Sequence, residues 1–214
     1  MISILMPIYN GIEFLNESIE SVINQSYKDW ELIIGINGHS KNSNIYLIAK
    51  EFESEKIKVL DLFNITGKSN ALNEMISYSK YNYIALLDVD DIWNKDKLNI
   101  QSNLLNKYDV IGSRCIWFGE KPGIVPKIPV GDFSSFDFKI INPIINSSVL
   151  IRKELCKWSD SQVEDYELWL KLRSKNKSFF NFKEILVMHR IHSSSFFNNN
   201  NHQAAIDLIK NIKL

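Results

Sequence analysis

Tyr83-Ile84-Ala85-Leu86-Leu87-Asp88-Val89-Asp90-Asp91, residues 83–91, is the stretch on which the reading of this chain turns. Tyr83 to Leu87 fits a short buried strand, because an apolar run of that length bounded by polar residues suits a sheet interior. It runs without a break into Asp88, Asp90 and Asp91. Three carboxylates this close repel one another unless a positive group compensates. A divalent ion with diphosphate oxygens would do so, and hard oxygen donors suit magnesium or manganese. The plainer alternative is a solvated turn, with Asp91 near the start of the next helix.

Upstream of that stretch, apolar runs of two periods alternate. Ile2 to Met6 reads as a strand ending at Pro7. Asn10 then heads a helical pattern with Ile12, Leu15, Ile19, Val22 and Ile23 on one face, and Glu13 completes a capping-box spacing. Trp30 to Ile36 is a second strand, stopped by Asn37-Gly38. A helix around Ile45 to Phe52, a strand Ile57 to Leu62, and a helix after Gly67 carrying Ala71, Leu72, Met75 and Ile76 follow. Strand–helix alternation implies right-handed crossovers and a mostly parallel sheet. Ligands of such sheets sit beyond the carboxyl ends of the strands. Tyr9, Asn37, Lys68 and the acidic cluster each lie just past a strand, so four segments converge on one edge.

Downstream the pattern is less regular. Leu98, Leu104 and Leu105 suggest a helix, Asp109 to Phe118 a strand, and Gly119 to Phe136 a long loop rich in Gly, Pro and Asp. Ile144 to Arg152 reads as strand, Glu164 to Arg173 as helix, Ser178 to Val187 as strand, and Gln203 to Ile212 as a closing helix. Asn198 to Asn201 is a loop-like polar run. On the helix from Glu164, Asp165 shares a face with Leu168, Trp169 and Leu172. A carboxylate heading an apolar face points inward or into a cleft, where its pKa rises. Dipole compensation at a helix N-terminus explains Glu164 better than it explains Asp165.

The bulk numbers exclude several classes. Among 214 residues, 25 are Lys or Arg and 25 are Asp or Glu, a formal net charge of zero that gives no electrostatic reason for a nucleic-acid partner. The length suits one domain with a sizeable core. The two cysteines, Cys115 and Cys156, have no metal or redox spacing and suit buried thiols in a reducing compartment. The N-terminus lacks a basic segment and meets Pro7 too early for a signal peptide, and no apolar run is long enough for a membrane span. The expectation is a cytoplasmic protein, with peripheral membrane contact left open. Without a signal peptide, triplets such as Asn64-Ile65-Thr66 are compositional accidents rather than glycosylation sites.

Three segments taken in order, Pro7-Ile8-Tyr9-Asn10, Ala85 to Trp93, and Val163-Glu164-Asp165-Tyr166-Glu167-Leu168-Trp169-Leu170, resemble the family 2 glycosyltransferases. The resemblance runs from Ile2 to about Ser195. It implies an α/β chain with the glycosyltransferase-A fold, a Rossmann-like, mostly parallel sheet flanked by helices with a smaller acceptor-side region. It implies one domain over 1–214, with 1–93 binding the nucleotide sugar and 94–214 carrying acceptor binding and catalysis. The activity implied is inverting transfer from a UDP- or GDP-sugar to a glycan, lipid-linked or protein acceptor, with manganese or magnesium. By likeness, Tyr9 would stack on the donor base with Pro7 shaping the turn, Asp88 would contact the ribose, Asp90 would hold the metal and Asp91 would support the loop. Lys68, in Gly67-Lys68-Ser69, would face the nucleotide, a charge that suits a diphosphate. Asp165 would be the catalytic base, with Glu164 supporting it. Arg190 and His192, in a segment similar to the family's Arg-x-His-x-x-Ser, would serve as phosphate contact and metal ligand.

The chain departs from the family at Ile36, where an Asp commonly reads the base, and Asn37 is the nearest substitute. Gly67-Lys68-Ser69 is not a P-loop, because Leu62 occupies the position of its first glycine. Two rivals stand beside this reading. A haloacid-dehalogenase-type phosphatase also places D-x-D after an apolar strand, but normally after the first. A non-catalytic nucleotide-sugar-binding protein on the same fold would need neither Asp90 nor Asp165.

Overall fold

In the computed structural model, which describes residues 1–193 and 201–212, β1 (Ile2–Ile8) and β2 (Trp30–Asn37) are buried almost end to end. That is the condition of strands covered on both faces. Successive side chains alternate between two apolar layers: Ile4 and Met6 of β1 belong to one, and Leu5 to the other. Leu32, Ile34 and Ile36 divide from Ile33 in the same way on β2. The first layer is closed by α1 (Leu15–Ile23) through Leu15, Ile19 and Val22, and by Ala49 of α2 (Asn44–Lys50). β3 (Ile57–Leu62) follows, then α3 (Lys68–Tyr78), which closes the second layer through Ala71, Leu72 and Met75.

β4 (Tyr83–Leu86) delivers the chain to the acidic cluster, after which come the short β5 (Ile92–Trp93) and α4 (Lys97–Ser102). β6 (Val110–Gly119), β7 (Gly131–Asp132), β8 (Leu150–Arg152), α5 (Glu164–Ser174), β9 (Phe179–Ile191) and α6 (Asn201–Asn211) complete the order. The sheet runs β3-β2-β1-β4-β8-β6-β9-β5, with β7 also on β9. The long ladders, β1 with β2, β2 with β3 and β6 with β9, are parallel. The antiparallel pairings involve the short strands β5, β7 and β8. The expected alternation is therefore present, and β8 enters antiparallel between β4 and β6. Leu168, Trp169 and Leu172 of α5 lie in the second apolar layer, as their shared face predicts. Among the described residues no helix is long and apolar enough to cross a membrane.

Several local expectations fail for physical reasons. β1 continues through Pro7, which pairs in register with Gly35, so Pro7 lies inside the strand and not in the turn after it. Asn10 caps nothing: a 3₁₀ turn over Ile12–Phe14 precedes α1, headed by Gly11 at φ +89°. A β-carbon there would also lie 3.0 Å from Val89, so glycine suits the site twice over. Ile23 is 47% exposed at the end of α1. Only Leu150–Arg152 of the Ile144–Arg152 segment is strand, because Asn146–Ser148 turns into a 3₁₀ helix. Ser148 Oγ donates to the Ile145 carbonyl at 2.7 Å, a local bond that competes with a strand ladder. The Gly119–Phe136 loop carries β7, and Pro129 is tied to β9 through Asn181. Ser195 and the asparagines of 198–200 lie outside the described residues.

Gly112, on β6, has no room for a side chain: a β-carbon would lie 2.2 Å from Asn181 Oδ1. The Asn181 amide donates to the carbonyls of Pro129 and Pro143, both at 2.9 Å. Gly112→Ala should therefore lower stability by about 1–3 kcal/mol, the usual range for overpacking. Denaturant unfolding measures it, and an unchanged midpoint would mean that Asn181 moves aside freely.

Candidate active site

The carboxyl ends of β1, β2 and β4 bring Tyr9, Asn37 and Asp88 to one edge, and the loop after β3 brings Lys68. Asn37 ends β2 and is buried. Tyr9 is 57% exposed, and its ring stacks on His39 with centroids 5.2 Å apart. Gly38, at φ +75°, makes this possible, since a β-carbon there would lie 2.8 Å from the Tyr9 ring.

Lys68, in the first turn of α3, is central. Its Nζ donates to Asp88 Oδ1 at 2.6 Å and lies 3.8 Å from Glu164 Oε1. Burial opposes its charge, but Asp88, Glu164 and Asp165 prevail and lift its pKa well above the ordinary lysine value. Asp88 also accepts from Asn146 Nδ2 at 3.0 and 3.2 Å, and its backbone N–H donates to Ser147 Oγ at 3.1 Å. Burial would raise the Asp88 pKa; the Lys68 ammonium and these hydrogen bonds lower it instead.

Asp90 and Asp91 have different partners. Asp90 Oδ2 lies 3.0 Å from His192 Nε2. Its pKa is raised, by burial first and then by Asp91 and Asp88. Asp91 is fully buried, with His189 Nδ1 at 3.0 Å and the Arg190 backbone N–H donating to it at 2.9 Å. Burial alone would lower the His189 pKa, but the Asp91 carboxylate outweighs it and lifts the value to about 9. Asp91 thus ties the acidic loop to the end of β9. Arg190 Nε donates to the Asp90 carbonyl at 2.9 Å, and its guanidinium lies 4.4 Å from the Phe14 ring centroid and 4.3 Å from that of Phe118. It also pairs with Glu17, whose side chain is 57% exposed. Among the described residues no group of three or more His, Cys, Asp or Glu side chains could hold a metal ion by itself. The Asp90 carboxylate is an oxygen donor of the kind that suits manganese or magnesium together with phosphate oxygens, and the His192 imidazole lies beside it.

Across from this loop, Glu164 and Asp165 open α5. Asp165 Oδ2 accepts from Asn142 Nδ2 at 3.2 Å. Burial raises its pKa, against the pull of Lys68, the Tyr166 backbone N–H and Asn142. Lys68 therefore acts on the carboxylates of both segments, which lie on one site. Sequence reading missed Asn142, Asn146 and Ser147, and also His189 and His39 as partners. One signal was available: the polar triplet Asn146-Ser147-Ser148 interrupts an otherwise apolar run and is costly in a buried strand without partners.

Comparison with known proteins gives the family and the fold. The family model described as Glycosyl transferase family 2 matches residues 3–154. The UDP-Glc:alpha-D-GlcNAc-diphosphoundecaprenol beta-1,3-glucosyltransferase WfgD of Escherichia coli is 31% identical over 209 residues, covering 93% of this chain and 80% of that protein. Staphylococcus aureus TarS 1–349 in complex with UDP-GlcNAc superposes with a TM-score of 0.75 at 14% identity, covering 100% of this chain and 67% of TarS 1–349. The mannosyltransferase PcManGT of Pyrobaculum calidifontis, solved with GDP-Man and Mn2+, gives a TM-score of 0.72 at 12% identity, covering 99% of this chain and 65% of that one. The architecture is the glycosyltransferase-A fold.

Burial lifts the Glu164 pKa to about 7, with Lys68 pulling it down and Asp165 pushing it up. A carboxyl whose folded pKa exceeds its unfolded value stabilises the fold while protonated. That contribution is lost as pH rises from near 4.5 through about 7. Glu164→Gln cannot ionise, so its melting temperature should gain on that of the native chain between about pH 5 and about pH 8. A difference that is flat or reversed over that window would contradict the assigned environment.

Proposed function

The chain belongs to glycosyl transferase family 2, and from that premise we propose that it transfers a sugar, with inversion, from a nucleoside-diphosphate sugar to an acceptor hydroxyl. The observation that carries the proposal is the position of Lys68, 2.6 Å from Asp88 and 3.8 Å from Glu164, the residue beside Asp165. One cation joins a donor-side carboxylate to a base-side pair.

In this reading the exposed Tyr9 offers its face to the nucleobase, and Asn37 stands where the family's base-reading Asp is absent. Asp88 accepts hydrogen bonds from the ribose, and Lys68 adds positive charge beside the diphosphate. Asp90 and His192 would hold manganese or magnesium, which supplies charge stabilisation for the departing nucleoside diphosphate. Arg190 reaches a phosphate by giving up Glu17, an exposed ion pair of the kind worth at most about 1 kcal/mol. Its bond to the Asp90 carbonyl and its packing on Phe14 and Phe118 keep it in place meanwhile. Asp165 takes the proton from the acceptor hydroxyl as that oxygen attacks the anomeric carbon. Burial raises its pKa, which makes it a stronger base than an exposed aspartate. The donor side draws on both parts of the chain, since Asn146, Arg190 and His192 lie beyond residue 93.

The E. coli relative is named for an acceptor sugar on a lipid diphosphate. By that likeness the acceptor here is a lipid-linked glycan, met at the cytoplasmic face of a membrane. The phosphatase rival is set aside by the family. The binding-only rival is separated by turnover.

Two measurements test the proposal. In a thermal-shift panel of UDP- and GDP-sugars, one nucleotide class should raise the melting temperature with Mn2+ present and lose most of the rise under EDTA. Saturation at a hundredfold over Kd corresponds to about 2.7 kcal/mol. Asp165→Asn should bind that donor as the native chain does and lose about 10²–10⁴-fold in turnover, the span of general base catalysis. A folded Asp165→Asn with full turnover would sink the base assignment.

A further inference from the structure

Two of the missed residues lie four apart on one segment and serve opposite sides of the site. Asn142 donates to Asp165, and Asn146 donates to Asp88. The backbone between them is fixed by the core. The Asn181 amide, buried on β9, donates to the Pro143 carbonyl at 2.9 Å. The Ile144 N–H donates to Asn142 Oδ1 at 3.2 Å, so the side chain that meets the carboxylate also closes its own turn. Trp93 Nε1 donates to the Ser147 carbonyl at 2.7 Å, and Gln101 Nε2 to the Ser148 carbonyl at 2.8 Å. Ser148 Oγ accepts from the Ser113 N–H at 3.1 Å. Pro143, Ile144, Ser147 and Ser148 are buried. The two amides are therefore carried on a rigid element, the arrangement that holds a constellation to within fractions of an ångström.

We propose that residues 142–148 form a strap whose two asparagines position the reacting carboxylates separately, Asn142 keeping Asp165 aimed and ionised and Asn146 keeping Asp88 in place for the donor. The proposal rests on the reading of Asp165 as base and Asp88 as donor contact. The chemistry of the amide supports it. A carboxamide donates to a carboxylate and favours its charged form without taking up a proton at ordinary pH. It thus assists a base without competing with it. The charged groups acting on Asp165 are Lys68, which favours its ionisation, and Asp88 on the far side of Lys68, which opposes it; Glu164 adjoins it in sequence. Asn142 is neutral, and among the described residues its amide is the group that hydrogen-bonds the Asp165 side chain from outside α5.

Asn142→Asp and Asn146→Asp test the strap with little change in shape. Asn142→Asp keeps the oxygen that accepts from Ile144 and replaces the donating amide by a second carboxylate. That raises the Asp165 pKa, so the base ionises only at higher pH. Release of UDP from UDP-glucose with Mn2+, or of GDP from GDP-mannose where the native chain turns that over faster, is followed against pH. Affinity for the same nucleotide with Mn2+ is measured by calorimetry. Asn142→Asp should move the acid limb of kcat upward by about one pH unit or more and leave the nucleotide Kd within about twofold. Asn146→Asp should weaken nucleotide binding by about tenfold or more and leave the acid limb in place. A merely structural strap would shift neither limb, or would change both quantities together in both variants, and either result overturns the proposal. Where an Asp variant does not fold, Asn142→Ala and Asn146→Ala are read by the same two measurements. Turnover retained by Asp165→Asn overturns the underlying base reading. An inactive Asp165→Asn beside an unshifted Asn142→Asp profile overturns the strap alone.

Discussion

The ammonium of Lys68 stands among carboxylates that would otherwise not share one cleft in ionised form. Asp88 and Asp165 come from segments 77 residues apart, and burial pushes both toward the neutral acid. A cation at 2.6 Å from Asp88 offsets that for Asp88 and moderates it for Asp165. The carboxylates hold Lys68 charged in return. The local chain places this cation by simple means. Gly67 takes φ +84° after β3, α3 begins at once, and its apolar residues Ala71, Leu72 and Met75 seat it in the second layer. The first turn of a well-anchored helix then presents Lys68 at the sheet edge.

Around that cation, similar acids acquire different characters. Asp88 has an ammonium, an amide and a hydroxyl, and stays a carboxylate. Asp90 has burial and two acidic neighbours against one imidazole, and its pKa rises. Asp91 is enclosed with His189, and as a pair they act as a fastener between the acidic loop and β9. Asp165 has an amide and a more distant ammonium against its burial, and its pKa rises. Environments that push acid strengths apart are how one cleft assigns separate roles to like residues.

What the sequence made legible was whatever depends on local period. Strands buried on both faces read as continuous apolar runs, which is why β2 and β3 were found within a residue of their ends. The half-buried placement of Asp165 is legible because it heads a helical face of Leu168, Trp169 and Leu172. What escaped was whatever depends on strand order. β8 enters antiparallel between β4 and β6, and no spacing announces this. That insertion brings Asn146 to Asp88 across 58 residues and Asn142 to Asp165. The segment read as one strand because its apolar flanks dominated, whereas the three polar residues between them had partners waiting elsewhere. Pro7 misled in the opposite sense. A proline after an apolar run reads as a stop, but the parallel ladder with β2 carries β1 on to Ile8.

The acidic loop is gripped from both sides by later parts of the chain. Ser147 and Asn146, just ahead of β8, hold Asp88; His189, Arg190 and His192, at the end of β9, hold Asp91 and Asp90. Residues 1–93 alone would lose the imidazole of His189 and the backbone donor of Arg190, and with them the tie that fixes Asp91 and the acidic loop. A boundary at residue 93 is therefore not a boundary in the fold. Asp88 takes its geometry from the same segment that carries Asn142 to Asp165, so one stretch of backbone serves both sides of the site.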